Sequence, residues 1–384
     1  MTHAILVLNA GSSSVKYGVF SADDQSLLAK GLIDRIGSGA EHHANGKTEV
    51  LPVAQDAKHA EALAWLTAHL QSDLQDVEIV AAGHRVVHGG QDFTSSTRIT
   101  PEVVTRMAAL SPLAPAHQPH NLAGIAALQA VWPDIPQVAC FDTAFHRTQP
   151  RLAQLFALPR QLTEDGVLRY GFHGLSYDYI ASQLPAHLGP KTGRVIVLHL
   201  GHGASLCGMI DGQSVATSMG FTALDGLVMG KRCGDLDPGV IFYLVRDKGL
   251  SIEEAEVLVS SQSGLYGVSG GISSDMRDLA ASDDPAAAEA IDLFAYRACR
   301  QIGSMAAALN GVDAIVFTAG IGENAPDVRR RILLGCGWLG VDVDDAANAA
   351  GGPVISTADS RVTALVIPTN EEKVIAEQTA ALLR

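Results

Sequence analysis

Short runs of Val, Ile, Leu and Ala alternate along the chain with longer stretches in which apolar residues recur every three or four positions. The short runs predict buried strands at Ala4–Leu8, Glu78–Ala82, Gln137–Phe141, Arg194–Leu200, Ala314–Thr318 and Thr363–Ile367. The periodic stretches predict helices at Ala57–Leu70, His120–Val131, Ser251–Ser260, Ala286–Leu309 and Glu371–Leu383. Strands and helices in alternation predict an α/β fold. Gly37–Thr48, rich in Gly, His and charge, predicts an exposed loop or hairpin tip.

The pattern at the N-terminus returns about half a chain later. Leu6-Val7-Leu8-Asn9-Ala10-Gly11 aligns with Ile196-Val197-Leu198-His199-Leu200-Gly201 at an offset of 190, with Val7, Leu8, Gly11 and Gly18 matched by Val197, Leu198, Gly201 and Gly208. Each copy reads apolar strand, small-residue turn, second strand. A duplication follows, with two similar domains, each opening on a hairpin whose turn faces a ligand, and a cleft between them. The sequence places the boundary near Thr148–Pro159.

Composition narrows the function. The 384 residues suit two domains of ordinary size, and 47% apolar against 18% charged residues describes a chain that folds. Lys and Arg total 27 and Asp and Glu total 41, for a formal charge of −14, which argues against nucleic acid as a partner. No run approaches the length of a membrane span, and the N-terminus has no basic segment ahead of its apolar run, so a cytoplasmic protein is expected. Cys140, Cys207, Cys233, Cys299 and Cys336 have no C-x-x-C spacing and read as small buried residues.

Several signatures fail. No G-x-x-x-x-G-K-[ST] exists, which excludes a P-loop NTPase. Gly267-Val268-Ser269-Gly270-Gly271 lacks the preceding strand of a nucleophile elbow and reads as a flexible loop. Gly320-Ile321-Gly322-Glu323-Asn324-Ala325 follows a strand, but too little chain remains for a dinucleotide domain, so it reads as a glycine turn and helix N-terminus toward a nucleotide.

Four small-residue turns placed after strands remain: Asn9–Ser14, His199–Ser205, Gly270–Asp275 and Gly320–Asn324. Together they predict cradles for the phosphates and sugar of one nucleotide. Lys16, Ser12 and Ser14 lie within reach of a β- or γ-phosphate; the alternative is turn chemistry for the serines and a solvated surface for Lys16. Arg85 and Arg232, flanked by glycines and apolar residues, are expected to be partly buried and to need an anion, from the protein or from a substrate. His84, His88, His117, His120, His146, His173, His199 and His202 lie near glycines or prolines without metalloprotease spacing, and predict imidazoles lining an anion cleft, His173 foremost.

Six motifs in order carry a resemblance across nearly the whole chain: Asn9–Lys16, Gly83–Gly90, Phe141–His146, Arg169–Gly174, Ser218–Thr222 and Thr369–Glu372. In them the chain resembles the acetate kinase family of short-chain acyl kinases, within the actin, sugar kinase and Hsp70 ATPase (ASKHA) superfamily. The resemblance implies two duplicated ASKHA domains around an active-site cleft. These would be residues 1–145, with a C-terminal helix (371–384) packed back on them, and residues 146–370 with the nucleotide site. It implies reversible phosphoryl transfer from ATP to acetate, with a propionate or butyrate kinase or a non-catalytic ATP sensor as alternatives. Asn9 and Glu371 would lie near Mg²⁺ (Mn²⁺ as substitute). Lys16, Ser12, Ser14, His199, Leu200, Gly201, His202, Gly203, Asp275, Met276, Arg277, Gly320, Ile321, Gly322, Glu323 and Asn324 would bind ATP or ADP. Arg85 would bind the carboxylate in a pocket with Val87, Ala116, Phe172 and Ala223. Asp142, His173 and Arg232 would be catalytic. A homodimer is implied.

The chemistry is consistent. A carboxylate acceptor is already ionised at neutral pH, so Asp142 orients Arg85 or a magnesium-bound water rather than removing a proton, or else caps its turn. Two departures stand out. The family has Asn where this chain has His202, and Leu and Pro where it has Ala116 and Ala223, which enlarges the acyl pocket.

Overall fold

The computed structural model describes residues 1–115 and 117–383. The chain divides into two compact units, Met1–Phe145 with the segment from Asn370 onward, and His146–Thr369. Unit 1 begins with β1 (Thr2–Ala10), whose Ala4–Leu8 stretch is fully buried because strands flank it and helices cover it. β2 (Val15–Ser21) and β3 (Leu27–Asp34) follow as antiparallel neighbours, and β4 (Glu41–Ala44) with β5 (Lys47–Val50) extends that edge as a hairpin. On the other side β6 (Val77–Val86) runs parallel to β1, and β7 (Thr97–Arg98) closes the far edge beside β8 (Gln137–Phe141). The sheet order is β5-β4-β3-β2-β1-β6-β8-β7.

Helix His59–Asp73 lays Leu63, Leu66 and Leu70 against Leu6, Leu8 and Val15, together with Leu128 of helix Gln118–Val131. The C-terminal helix Glu371–Ala381 packs on the same sheet. Its Ile375 and Thr379 occupy the space a side chain at Gly83 would need.

Unit 2 repeats the plan with β9 (Arg194–Leu200), β10 (Ala204–Ile210), β11 (Gln213–Thr217), β12 (Ala314–Thr318) and β13 (Thr363–Val366), in the order β11-β10-β9-β12-β13. β9–β10 and β10–β11 are antiparallel, while β12 runs parallel to β9 and to β13. The order and directions match β3-β2-β1-β6-β8 of unit 1. The long helix Pro285–Ala308, capped by Asp284, buries Ile291, Phe294, Ala298, Ile302 and Met305 at three- and four-residue spacing.

Pairing corrects one detail of the internal match. Val7 pairs with Gly18, whereas Val197 pairs with Cys207, and Gly208 pairs with Ile196. The unit 2 turn is one residue shorter, so Gly18 and Gly208 are not equivalent and their identity is coincidence.

Candidate active site

In unit 1 the side chains expected to be functional lie at the ends of the central strands and at the start of the C-terminal helix. Asn9 and Lys16 are cross-strand partners on β1 and β2, and therefore share one face. The Lys16 ammonium, 61% exposed, stands 2.8 Å from Glu372 Oε1. Sequence reading set Lys16 toward a phosphate; the fold gives it a carboxylate partner. Glu371 and Glu372 open the C-terminal helix, where carboxylates meet unpaired backbone N–H groups, and Asn370 accepts a hydrogen bond from the Lys373 amide at 3.0 Å. In the turn between β1 and β2, the Gly11 amide donates to the Ser14 carbonyl at 2.8 Å. His59 Nε2 donates to the Gly11 carbonyl, also at 2.8 Å.

Arg85 near the end of β6 and Asp142 just past β8 form a two-pronged pair. Arg85 Nε lies 3.2 and 3.0 Å from the two Asp142 oxygens, and Nη2 donates to Oδ2 at 2.7 Å. Asp142 is buried, while the Arg85 side chain is 25% exposed, and Nη1 has no protein partner among the described residues. Burial opposes the guanidinium charge, but Asp142 and Glu371 outweigh it and hold Arg85 firmly cationic. Of the two readings of the isolated arginine, the protein partner is the one found: Asp142 holds one edge of the guanidinium.

Val87 follows, half-buried, its N–H donating to Asn121 Oδ1 at 3.0 Å. Asn121 Nδ2 donates to the Ala10 carbonyl at 2.9 Å, so one buried amide ties together the ends of β1 and β6. Sequence reading missed Asn121; the signal was a pair of amides, Gln118 and Asn121, one turn apart on an apolar helix face. Ala116 lies outside the described residues.

In unit 2 a tight backbone sets the chemistry. Gly171 has φ +75°, and a side chain there would meet His146 and Thr217 at 2.6 Å. His173 has φ +59°, a left-handed conformation for a non-glycine residue at a helix start, and such strain is retained where surrounding structure enforces it. The enforcement is visible: His146 Nε2 donates to the Phe172 carbonyl at 2.9 Å, and His173 Nδ1 bonds Ser205 Oγ at 2.8 Å. Ser205 also bonds the Tyr177 hydroxyl. The His173 ring stacks on His199 at 4.1 Å, and His199 Nδ1 is fixed by Ser176 Oγ at 2.8 Å, which meets Thr369 Oγ1 at 2.9 Å.

Gly203 is where two cationic or hydrogen-bonding groups converge. A Cβ at Gly203 would stand 2.6 Å from Arg232 Nη2 and 3.3 Å from His173 Nε2. Arg232 is anchored through Nη1 on the Ala223 carbonyl at 2.5 Å. Burial lowers its pKa, yet a guanidinium stays protonated in a protein at neutral pH. Arg232 and His173 thus flank one point above a backbone that carries no side chain, a geometry suited to an anion.

Beside them a cavity of about 660 Å³ opens entirely within unit 2. Gly201 and His202 contribute from the β9–β10 turn, Asp275, Met276 and Arg277 from one wall, and Gly320, Ile321 and Asn324 from another; Leu279, Ile291 and Val328 give it apolar surface. Its size and mixed lining fit a nucleotide-sized ligand. Burial, followed by Arg232 and Lys231, lowers the His202 pKa against the pull of Asp275, so its imidazole is neutral at pH 7. The Leu200 side chain is fully buried and belongs to the core, and Phe172 is buried too. Ala223 is half-buried.

Four expectations need correction. Gly320–Asn324 is not an open turn but part of helix Ala319–Asn324, with Ala319 at φ +64°. Glu323 is turned inward: its Oε1 accepts from the amides of Ala319 at 2.8 Å and Thr369 at 3.1 Å. Gly270–Asp275 follows helix Gly264–Val268 rather than a strand; Gly267–Gly271, expected as a flexible loop, begins inside that helix, and Ser269 is buried with its hydroxyl on backbone carbonyls. Asp275 caps the next helix and grips Arg277 at 3.0 and 2.7 Å. His84 and His146 line no cleft: both are fully buried, and desolvation brings each pKa down to about 4. Arg329, also missed, is buried and donates to the Gly322 and Glu323 carbonyls at 2.9 Å, holding the end of helix Ala319–Asn324.

The two units repeat one five-strand plan, and unit 2 brings Arg232 and His173 together above Gly203 beside a cavity of nucleotide size. The acetokinase family profile matches residues 4–377. Acetate kinases from Rhodopseudomonas palustris and Methylocella silvestris are 50% and 49% identical to this chain, covering 98% and 100% of it and 97% and 98% of their own lengths. Among solved structures, Porphyromonas gingivalis acetate kinase superposes with a TM-score of 0.92 at 38% identity, covering all of both chains. A propionate kinase from Francisella tularensis gives the same TM-score and identity with 99% of each chain covered. The chain belongs to the acetokinase family. Among the described residues, no helix is long and apolar enough to cross a membrane.

Proposed function

We propose that this chain catalyses the Mg²⁺-dependent, reversible transfer of the γ-phosphoryl group of ATP to acetate, giving acetyl phosphate and ADP. The convergence of Arg232 Nη2 and His173 Nε2 above Gly203 carries the reading, because negative donor and negative acceptor can approach only where charge is neutralised. Arg232 and His173 hold the equatorial oxygens of the phosphoryl group in flight. Arg85 takes the acetate carboxylate with its outward edge, and Asp142, bound to the other edge, orients it. Asp142 removes no proton, since acetate is already ionised. The unit 2 cavity takes the nucleotide, with His202 as a neutral hydrogen-bonding group.

The Asn9 amide and Glu371 carboxylate offer hard oxygen donors, which suit Mg²⁺ and, less selectively, Mn²⁺. When bound, the ion offsets phosphate charge. Lys16 neutralises Glu372 in the resting protein and reaches phosphate only by exchanging partners.

Acetate is the first substrate on the strength of the full-length relatives near 50% identity, with propionate second because alanine stands at 116 and 223 where the resemblance implies the larger Leu and Pro. We place the protein in the cytoplasm, with no nucleic-acid or membrane partner, given its charge of −14. A homodimer is proposed through helix Pro238–Arg246, which buries none of its own residues and exposes Phe242 and Tyr243. A coupled ADP-release assay across formate, acetate, propionate and butyrate tests the reading. Turnover that peaks at acetate supports it, and turnover independent of any carboxylate refutes it.

A further inference from the structure

We propose that His42, Glu49 and His69 form a binding site for a divalent late first-row transition-metal ion, with Zn²⁺ as the reference case. The residues come from two elements of unit 1. His42 and Glu49 are direct cross-strand partners in the β4–β5 hairpin, and His69 lies on helix His59–Asp73. One donor atom from each lies within 4.8 Å of the others, the one such group of metal-capable side chains among the described residues. His42 Nδ1 and Glu49 Oε1 are already 2.9 Å apart. Donors around a tetrahedral ion at 2.0–2.2 Å stand about 3.4 Å from each other, so side-chain rotation completes the set. Asp73, one helical turn beyond His69 and 3.3 Å from its Nε2, adds a second carboxylate.

The surroundings are those of a built site rather than a chance surface cluster. His42 is buried, and its Nε2 bonds the Tyr17 hydroxyl at 2.8 Å, leaving Nδ1 directed at Glu49. That is the outer hydrogen bond by which a ligating histidine is usually oriented. Trp65 stacks on the His69 ring at 4.5 Å and meets the His42 ring edge-on at 5.0 Å. A cross-strand His–Glu pair alone explains the hairpin, but not the second imidazole and second carboxylate brought beside it. Two imidazoles exclude Mg²⁺ as the preferred ion and select zinc, nickel or cobalt. A bound ion would tie the hairpin to the helix whose first residue, His59, holds the Gly11 turn.

The test is titration calorimetry of the chelator-treated, nucleotide-free full-length protein with Zn²⁺ in millimolar Mg²⁺, alongside Co²⁺ absorption spectra. One equivalent is expected, with the visible bands of four-coordinate nitrogen and oxygen ligands. Glu49→Gln and His69→Ala change half-exposed side chains, so both should fold, as circular dichroism will verify. Each should weaken binding at least ~10-fold, and Tyr17→Phe should weaken it by about 10-fold through loss of orientation. Absence of binding at micromolar Zn²⁺, a thiolate charge-transfer band, or affinity unchanged in both ligand variants would overturn the proposal.

Discussion

Gly203→Ala is a small change with a large expected effect on rate. Gly203 has no positive φ, so alanine suits its backbone, and the cost falls on what the methyl meets. It would stand 2.6 Å from Arg232 Nη2 and 3.3 Å from His173 Nε2. An ordinary contact needs about 3.4 Å, so the guanidinium must retreat by about 0.8 Å while His173 is held by Ser205. A guanidinium end is flexible, so stability should change little. A displacement near 1 Å of a group that stabilises charge in flight costs on the order of 100-fold, or about 2.7 kcal/mol of barrier. The assay is acetate-dependent ADP release, with kcat separated from the KM of each substrate. Gly337→Ala, with nothing within 4 Å of the new methyl, is the control and should stay within two-fold. A Gly203→Ala enzyme with kcat within three-fold of the parent would refute the placing of Arg232 and His173 at the reacting phosphoryl group.

Three further outcomes are expected. Arg85→Ala should raise the acetate KM by about 2–4 kcal/mol equivalent, far more than the ATP KM, and should also destabilise the fold by leaving Asp142 buried without its partner. Arg85→Ala with Asp142→Asn should recover stability in urea melts but not the acetate KM; recovery of both would show that Arg85 is purely structural. His84 and His146 have pKa values lowered from 6.5 to about 4, so the unfolded chain binds more protons between those values. Stability is then full above about pH 6.5 and falls on acidification by up to about 1.4 kcal/mol per pH unit for each histidine, a slope that His84→Gln should reduce and that would argue against the assignment if unchanged. Ala223→Pro should lower the propionate-to-acetate ratio of kcat/KM about five-fold, the order of one methylene's discrimination; an unchanged ratio would remove Ala223 from the acyl pocket.

The central strands were legible because strands covered on both faces leave near-continuous apolar runs: Gln137–Phe141, Arg194–Leu200 and Ala314–Thr318 appear with the bounds read from sequence. Half of the duplication was legible too, since the strand–turn–strand order is local. Register was not, because a turn shorter by one residue shifts every partner after it, which is how Gly208 came to be matched with Gly18. Residue type predicted that Arg85 and Arg232 would be partly buried, but not their protein partners, the Asp142 carboxylate and the Ala223 carbonyl. The Asp142 grip on Arg85 joins residues 57 positions apart. The resemblance set Glu323 among the nucleotide-binding residues, and local sequence could not show that two backbone amides hold its carboxylate. His84 and His146 read as cleft residues because of a neighbouring glycine and a nearby proline, and here the groups that approach them are protein.

The most direct test of the central claim follows phosphorus by ³¹P NMR in a mixture of the protein, ATP, Mg²⁺ and acetate. The account predicts an acyl-phosphate resonance growing in step with ADP, convertible to acetohydroxamate by hydroxylamine, and reduced at least 100-fold in Arg232→Ala with ATP still bound. ADP accompanied only by inorganic phosphate, or acyl phosphate formed as fast by Arg232→Ala as by the parent, would contradict it.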